Sequence, residues 1–446
     1  MRIRRFLGLA AVLVILTSGC GASAVNTPMT LRIWYSTDDP IEHAWALKLP
    51  ALFERSHHNI RVALTTYQFE DFDRNMQLAL STGHAPDLAY ATPRVCGIPV
   101  YVQNHKLLNL TPYARRYRWA ARLRRGLLQD YNSPFALYDS QKPGIAGRRV
   151  PVYAVPTAVA AVGILYNARL LRRLHLRVPQ TPGQFVRDLA VAKRAHLTPI
   201  AMGNADGWLG DDWYQTLANT RFSYTDLERE LRLDHSFTFN RKPFLMMSSR
   251  LRAWAAKGYF TPNFGGLDAQ DGVTTFFKGR SLFELVSSSQ DSQILSLEKA
   301  SGLNIGVFPF PAGKGRSVMP QSGYEGWIVP SSGHHHSVAI TFINWLLKPS
   351  TLRFMLHRGM LPAAPEPASS GVSPWQREYL RSLASARPGV YLDAAPIPNL
   401  NATMEANVQL LLQGYEQPSV LPRVMQLVYA SHGARHGKTE AIDCEF

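Results

Sequence analysis

Several familiar signatures are missing from this sequence. No Gly-rich phosphate loop and no Gly-x-Ser-x-Gly nucleophile elbow occurs, which removes the usual marks of nucleotide hydrolysis and of serine hydrolases. Beyond the extreme N-terminus no uninterrupted apolar run is long enough to span a bilayer. Low-complexity tracts and short repeat periods are also lacking, so neither a solenoid nor a disordered tail is indicated. Cysteine is scarce, with three residues at positions 20, 96 and 444. What remains is a soluble globular body of 446 residues, 46% hydrophobic and 11% aromatic, long enough for two domains.

Acidic residues are the other shortage. There are 32 of them against 48 Lys and Arg, a formal charge of +16. A basic stripe would suggest nucleic acid, but only Arg115, Arg116, Arg118, Arg122, Arg124 and Arg125 cluster. They interleave with Tyr113, Tyr117, Ala121 and Leu128 at helical spacing, the pattern of a solvated helix face. No zinc-finger spacing or aromatic RNA-binding consensus accompanies them, and no nucleic-acid partner is expected. Attraction to an anionic cell envelope suits the charge equally well.

The N-terminus carries an address. Met1 to Arg5 is a positive segment, Phe6 to Leu16 is apolar but too short for a stable span, and Thr17-Ser18-Gly19 precedes Cys20. That order is a secretory signal. The cysteine after Ser-Gly resembles a bacterial lipobox, with Thr17 standing where leucine is commoner. The expectation is a signal peptide over 1–19, lipidation at Cys20, a tether over 20–29, and an extracytoplasmic protein anchored to the cell membrane. Cys96 and Cys444 are then the two thiols left to pair in a compartment that permits disulfides.

Along the body, Thr30–Tyr35 reads as a strand ending in a Ser-Thr-Asp-Asp-Pro turn. A helix over 41–56, a strand over 60–65, a helix over 71–81 and a strand over 85–90 follow. Strand–helix alternation of this kind predicts an α/β lobe with a largely parallel sheet. A second unit begins near Gly147, with strands over 149–156, 159–166 and 198–201 and helices between. Residues 208–257 read as mostly helical, 281–286 and 304–308 as short strands, and the chain after Pro330 as helical.

Four stretches carry a resemblance. They are Ala79–Leu88 with its Gly83, Pro86 and Asp87; Tyr153–Pro156 followed by Leu165-Tyr-Asn167 and by 176–185; Phe277–Phe283; and Ile305–Pro311 through Gly326–Pro330 to Leu361-Pro362. In order and spacing they resemble the extracellular solute-binding proteins of family 1, the sugar-binding group related to maltose-binding protein. Pro182 and Gln184 depart from the family pattern at a helix start. The resemblance implies a two-lobed periplasmic-binding-protein-like fold of type II, each lobe a mostly parallel sheet flanked by helices with a hinge between. It places 30–140 and 272–330 in the N-terminal lobe, and 141–271 and 331–446 in the C-terminal lobe. The function it implies is capture of a carbohydrate or polyol for the permease subunits of an ABC importer, with no catalytic residue and no cofactor.

A polyhydroxyl ligand needs aromatic faces for its C–H surfaces and carboxylates or amides for its hydroxyls. At the ends of predicted strands the sequence offers Tyr35, Asp38 and Asp39, then Thr92 and Arg94. Arg94 would favour a ligand with an anionic group. Asp206, Trp208 and Asp212 belong to the densest Asp/Trp cluster, Ser288 follows a strand, and Tyr324, Glu325 and Trp327 sit in a Gly-bounded loop. Each also has a structural reading: Asp38, Asp39 or Asp212 can cap helices, and Asp87 can serve its own turn. His334-His335-His336 lacks partners at ligand spacing and reads as a loop rather than a metal site. Two alternatives stay open here. A secreted carbohydrate-active enzyme would use a carboxylate pair such as Asp206 and Asp212, and a ligand-sensing surface lipoprotein would use the same fold.

Overall fold

Two β-sheets organise the chain. The computed structural model describes residues 28–37, 40–93, 96–135, 150–231, 234, 236–313, 317–365, 371–395, 397 and 399–433. The signal segment, Cys20 and Cys444 therefore lie outside the described residues, as do the candidates Asp38, Asp39 and Arg94.

The first sheet runs β2-β1-β3-β11-β4, built from β1 Met29–Ser36, β2 Ile60–Tyr67, β3 Leu88–Ala91, β4 Ala154–Pro156 and β11 Gly326–Ile328. Its strands β1, β2 and β3 pair in parallel, as strand–helix alternation requires, while β11 is antiparallel to both β3 and β4. The second sheet has the path β12-β10-β5-β7-β6, with β8 on β5 and β9 on β10. Its strands are β5 Val159–Asn167, β6 Thr198–Ala201, β7 Ser281–Ser287, β8 Ile305–Phe308, β9 Phe310–Pro311, β10 Ser317–Gly323 and β12 Arg387–Gly389. It is mixed rather than mostly parallel: β5 runs antiparallel to β7, β8 and β10.

Strand pairing redraws the expected lobe boundaries. Of the segment 272–330 assigned to the first lobe, β7 to β10 belong to the second sheet and only β11 joins the first. Of the segment 331–446 assigned to the second lobe, the helix His336–Leu346 packs on the first, with Phe342 4.8 Å from Phe53 and 5.6 Å from Trp327. The physical reason is that β7 is buried on both faces and shows no alternation, so its residues do not announce a partner.

The lobes are joined where the chain changes sheet. Thr157 and Ala158 connect β4 to β5, and Tyr324 and Glu325 connect β10 to β11. A third crossing, Leu361–Ala363, runs beside them: Val159 donates its N–H to Leu361, Ala363 donates to Thr157, and Tyr324 donates to Ala158. These backbone bonds tie three segments into one hinge.

Local chemistry explains most other departures. The expected helix over 41–56 is two, Pro40–Ala46 and Leu49–Glu54, because Pro50 opens a new first turn. The arginine cluster lies on two short helices, Thr111–Arg116 and Trp119–Arg122, not on one continuous face. Arg115, Arg116, Arg118 and Arg125 are exposed. Arg122 instead donates to the side chain and carbonyl of Asn344, and Arg124 to the carbonyl of Pro362. Asp87 holds its turn as expected, accepting from the backbone N–H of Arg32, His334 and His335. His336 bonds the carbonyl of Pro330, and no metal-binding cluster occurs among the described residues. Cys96 is disulfide-bonded.

Within the second sheet, β7 carries an unusual passenger. Glu284 is fully buried between β5 and β6, and neither carboxylate oxygen has a hydrogen-bond partner. Burial alone lifts its pKa well above the ordinary carboxylate range. As pH rises above about 4, the unfolded chain releases this proton while the folded chain keeps it. Stability therefore declines with rising pH until the folded pKa is passed. Melting temperatures taken at pH 5 and pH 8 should differ, with the lower pH more stable, and Glu284→Gln should narrow that gap. An unchanged gap would assign the pH dependence to other groups.

Candidate functional site

Where the two sheets meet, elements from both line a narrow cavity of about 20 Å³, room for little more than a water molecule. The first lobe contributes Glu42 and Trp45 from the helix Pro40–Ala46. The hinge contributes Ala158, Val159 and Tyr324. The second lobe contributes Ser288, Ser289 and Ser292, which follow β7 and open the helix Asp291–Ser301. The turn Arg358–Leu361, which leads into the third crossing, completes the wall.

Under the first-lobe wall sits an aromatic base. Tyr35 stacks on Tyr90 at 4.6 Å, and Trp327 lies 4.8 Å from Tyr90 and 5.8 Å from Tyr35. The Tyr35 hydroxyl donates to Glu42 Oε1 at 2.6 Å, and Thr37 donates to Glu42 Oε2 at 3.1 Å. Burial first, then the Glu42 carboxylate and Tyr90, push the Tyr35 pKa well up, so its phenol stays a hydrogen-bond donor. The effect is to aim one carboxylate of fixed orientation at the cavity. Beside it, Trp45 Nε1 is buried with no hydrogen-bond partner. A buried, unanswered N–H costs about 1–3 kcal/mol, and Trp45 is one of the residues that line the cavity.

The expected site residues separate into groups. Tyr35, Ser288, Tyr324 and Glu325 come together at the cavity or the hinge beside it. Tyr35 acts through Glu42, and the Ser288 hydroxyl is committed to the backbone, donating to Val159 at 2.7 Å and accepting from Ala161 at 3.0 Å. Glu325 is buried at the crossing, where its charge adds to the raised pKa of Tyr90 and Tyr131. Trp327 is a correction: fully buried, its indole donates to Thr157 at 3.0 Å, and it is core rather than a stacking platform for ligand. Thr92 is turned to Asp73 and does not line the cavity.

Asp206, Trp208 and Asp212 also lie off the cavity wall. The Trp208 indole donates to Asp206 at 3.1 Å, so the two satisfy each other at the start of the helix Trp208–Arg221. Asp212 is buried and accepts from Gln215. Burial and the neighbouring Asp393 raise its pKa well above the ordinary range. Asp206 is exposed and Asp212 buried, and neither faces the cavity, so they do not form the carboxylate pair a glycosidase needs.

Sequence reasoning missed Glu42, Trp45, Ser292, Arg358 and Gly359. Glu42 carries the one signal that could have found it, an acid seven residues after a strand-end tyrosine. In the first turn of a helix such an acid is ordinarily a dipole partner.

The model of the family described as bacterial extracellular solute-binding protein matches residues 37–351. A multiple sugar-binding protein of Streptococcus mutans serotype c is 22% identical over 346 residues, covering 76% of this chain and 77% of that protein. Among solved structures, a chitin oligosaccharide binding protein superposes with a TM-score of 0.75 at 21% identity, covering 91% of this chain and 99% of that one. The apo form of RafE from Streptococcus pneumoniae superposes with a TM-score of 0.73 at 17% identity, covering 91% and 98%. Two lobes about a triple crossing are the fold these proteins share with this chain.

Proposed function

The chain belongs to the bacterial extracellular solute-binding protein family, a family of binders and not of enzymes, and from that premise we propose that it captures a carbohydrate between its lobes. The observation that supports the reading is the interlobe cavity, which Glu42, Trp45, Ser289 and Ser292 line from both lobes and which widens as the lobes part. A ligand held by both walls favours the closed arrangement by its differential contacts, and the hinge lets the lobes part for release. Relatives described as binding raffinose or chitin oligosaccharide support a sugar over other solutes. In this reading the closed form delivers its cargo to the permease of an ABC importer. Cys20 carries the lipid that holds the protein at the outer face of the cell membrane, and labelling with a radioactive fatty acid reads that anchor directly. Cys444 is the disulfide partner of Cys96.

Thermal unfolding of residues 26–446 against a panel of neutral and acidic oligosaccharides, polyols and sugar phosphates tests the proposal. A ligand present at a hundred times its Kd adds about 2.7 kcal/mol, a clear upward shift in Tm. Trp45→Phe keeps the ring and removes the donor, so it should weaken the best hit by about tenfold, the worth of one hydrogen bond near 1.4 kcal/mol. A panel without any stabilising sugar, or product released from one, would count against binding as the function.

A further inference from the structure

A second depression lies beside the interlobe cavity and shares two lining residues with it. Ser292 and Arg358 belong to the walls of both. The outer one is an open groove of about 580 Å³, and its floor is one face of the helix Asp291–Ser301. Ser292, Leu295, Ser296 and Lys299 stand on that face at successive helical spacings. The opposite wall is the turn of His357 and Arg358. At 1.5 Å per residue the floor extends about 10 Å from Ser292 to Lys299.

Among the described residues, Lys299 and Arg358 are the charged side chains that line the groove, with His357 beside them, and no carboxylate is on that lining. Arg358 forms none of the ion pairs found among the described residues; its guanidinium rests on the Phe354 ring at 5.2 Å. Glu298, the acid next to Lys299 in sequence, accepts from the Trp375 indole at 2.8 Å on the side away from the groove lining, although it lies near enough to Lys299 to interact with its charge. The cavity lining differs in holding both signs, Glu42 from the first lobe and Arg358 at the turn it shares with the groove.

We propose that the ligand runs out of the cavity along this groove and carries a carboxylate there: an acidic oligosaccharide, with a neutral unit at Glu42 and Trp45 and a uronate between Lys299 and Arg358. The inference rests on the carbohydrate-binding reading and narrows it to a substrate class. Ser292 and Ser296 supply hydroxyls to the sugar rim, and Leu295 between them supplies an apolar patch for a C–H face. An exposed cationic groove of this kind selects by charge and is screened by salt.

The test compares trigalacturonate with neutral galactotriose by titration calorimetry, using the full mature chain at low and at physiological ionic strength. Trigalacturonate should bind at least tenfold more tightly at low salt, and the preference should shrink as salt rises. Lys299→Gln and Arg358→Gln should each lower the ratio of the two affinities about tenfold. A double variant, Lys299→Gln with His357→Asn, leaves the cavity wall intact and should lower the same ratio. Equal affinities for the two sugars, or a ratio indifferent to these substitutions, would overturn the acidic-ligand inference while leaving sugar binding in place. If neither these sugars nor any member of the wider panel binds, the carbohydrate reading fails and this inference falls with it.

Discussion

Gly359→Ala should weaken ligand binding about a hundredfold while leaving the fold in place. Gly359 has φ of +89°, a conformation a side chain resists, and a Cβ there would stand 2.5 Å from Ser292 Cα and 2.6 Å from Ser292 N. Those are backbone atoms, so no side-chain rotation relieves the clash. The turn before the third crossing and the start of the helix Asp291–Ser301 would have to separate. The strain of the positive φ stays with the turn in either form, whereas overpacking against Ser292 costs about 1–3 kcal/mol only where the segments meet. Because the two segments come from opposite sides of the cavity, the open form escapes most of the penalty. A loss of about 3 kcal/mol from the closed form is roughly a hundredfold in Kd. Titration of the best ligand into the variant, with far-UV circular dichroism as a check on folding, reads the effect. Unchanged affinity would mean that the lobes close without bringing these segments together.

Trp327→Ala should do the opposite, costing stability before it costs anything else. Trp327 is fully buried in β11, contacts Tyr35, Tyr90 and Phe342, and spends its indole N–H on Thr157 in the hinge. Removing such a ring from a packed core costs about 3–5 kcal/mol, and Thr157 would lose its donor as well. The paired control is Trp208→Ala. That side chain is half-buried and bonded only to Asp206, so its loss should cost no more than about 1 kcal/mol. Thermal or denaturant unfolding of the two variants side by side measures the contrast. Similar losses at the two positions would contradict the burial that separates them.

Those tryptophans show what the sequence could and could not reveal. Strands β1 and β2 and the helix Phe69–Thr82 that follows them were legible because half-buried strands and amphipathic helices print their periods on the chain. The order of the family motifs gave the two-lobed fold. Strand partners were not legible: β7 is apolar on both faces save for Glu284, and nothing local says that it pairs with β5 rather than β3. Burial misled in the same way at the site. An Asp/Trp cluster at 206–212 looks like sugar chemistry, but its members bond one another or sit inside the second lobe. Glu42 and Trp45 look like an ordinary amphipathic first helix. Only the approach of Ser288 and Arg358 from distant parts of the chain turns them into a site. Tyr35, expected at the ligand from its place at a strand end, is buried and donates to Glu42 on the cavity wall.

The order in which the strands are synthesised sets a problem for the newborn chain. Strand β11 lies between β3 and β4 in the finished first sheet, yet every strand from β5 to β10 is made before it. Until it arrives, β3 and β4 have no common neighbour, and β3 presents an open edge able to pair with another chain. The first lobe cannot mature as an early independent unit; it waits for most of the second to pass. Long-range pairing of this kind slows folding and prolongs the exposure of sticky intermediates.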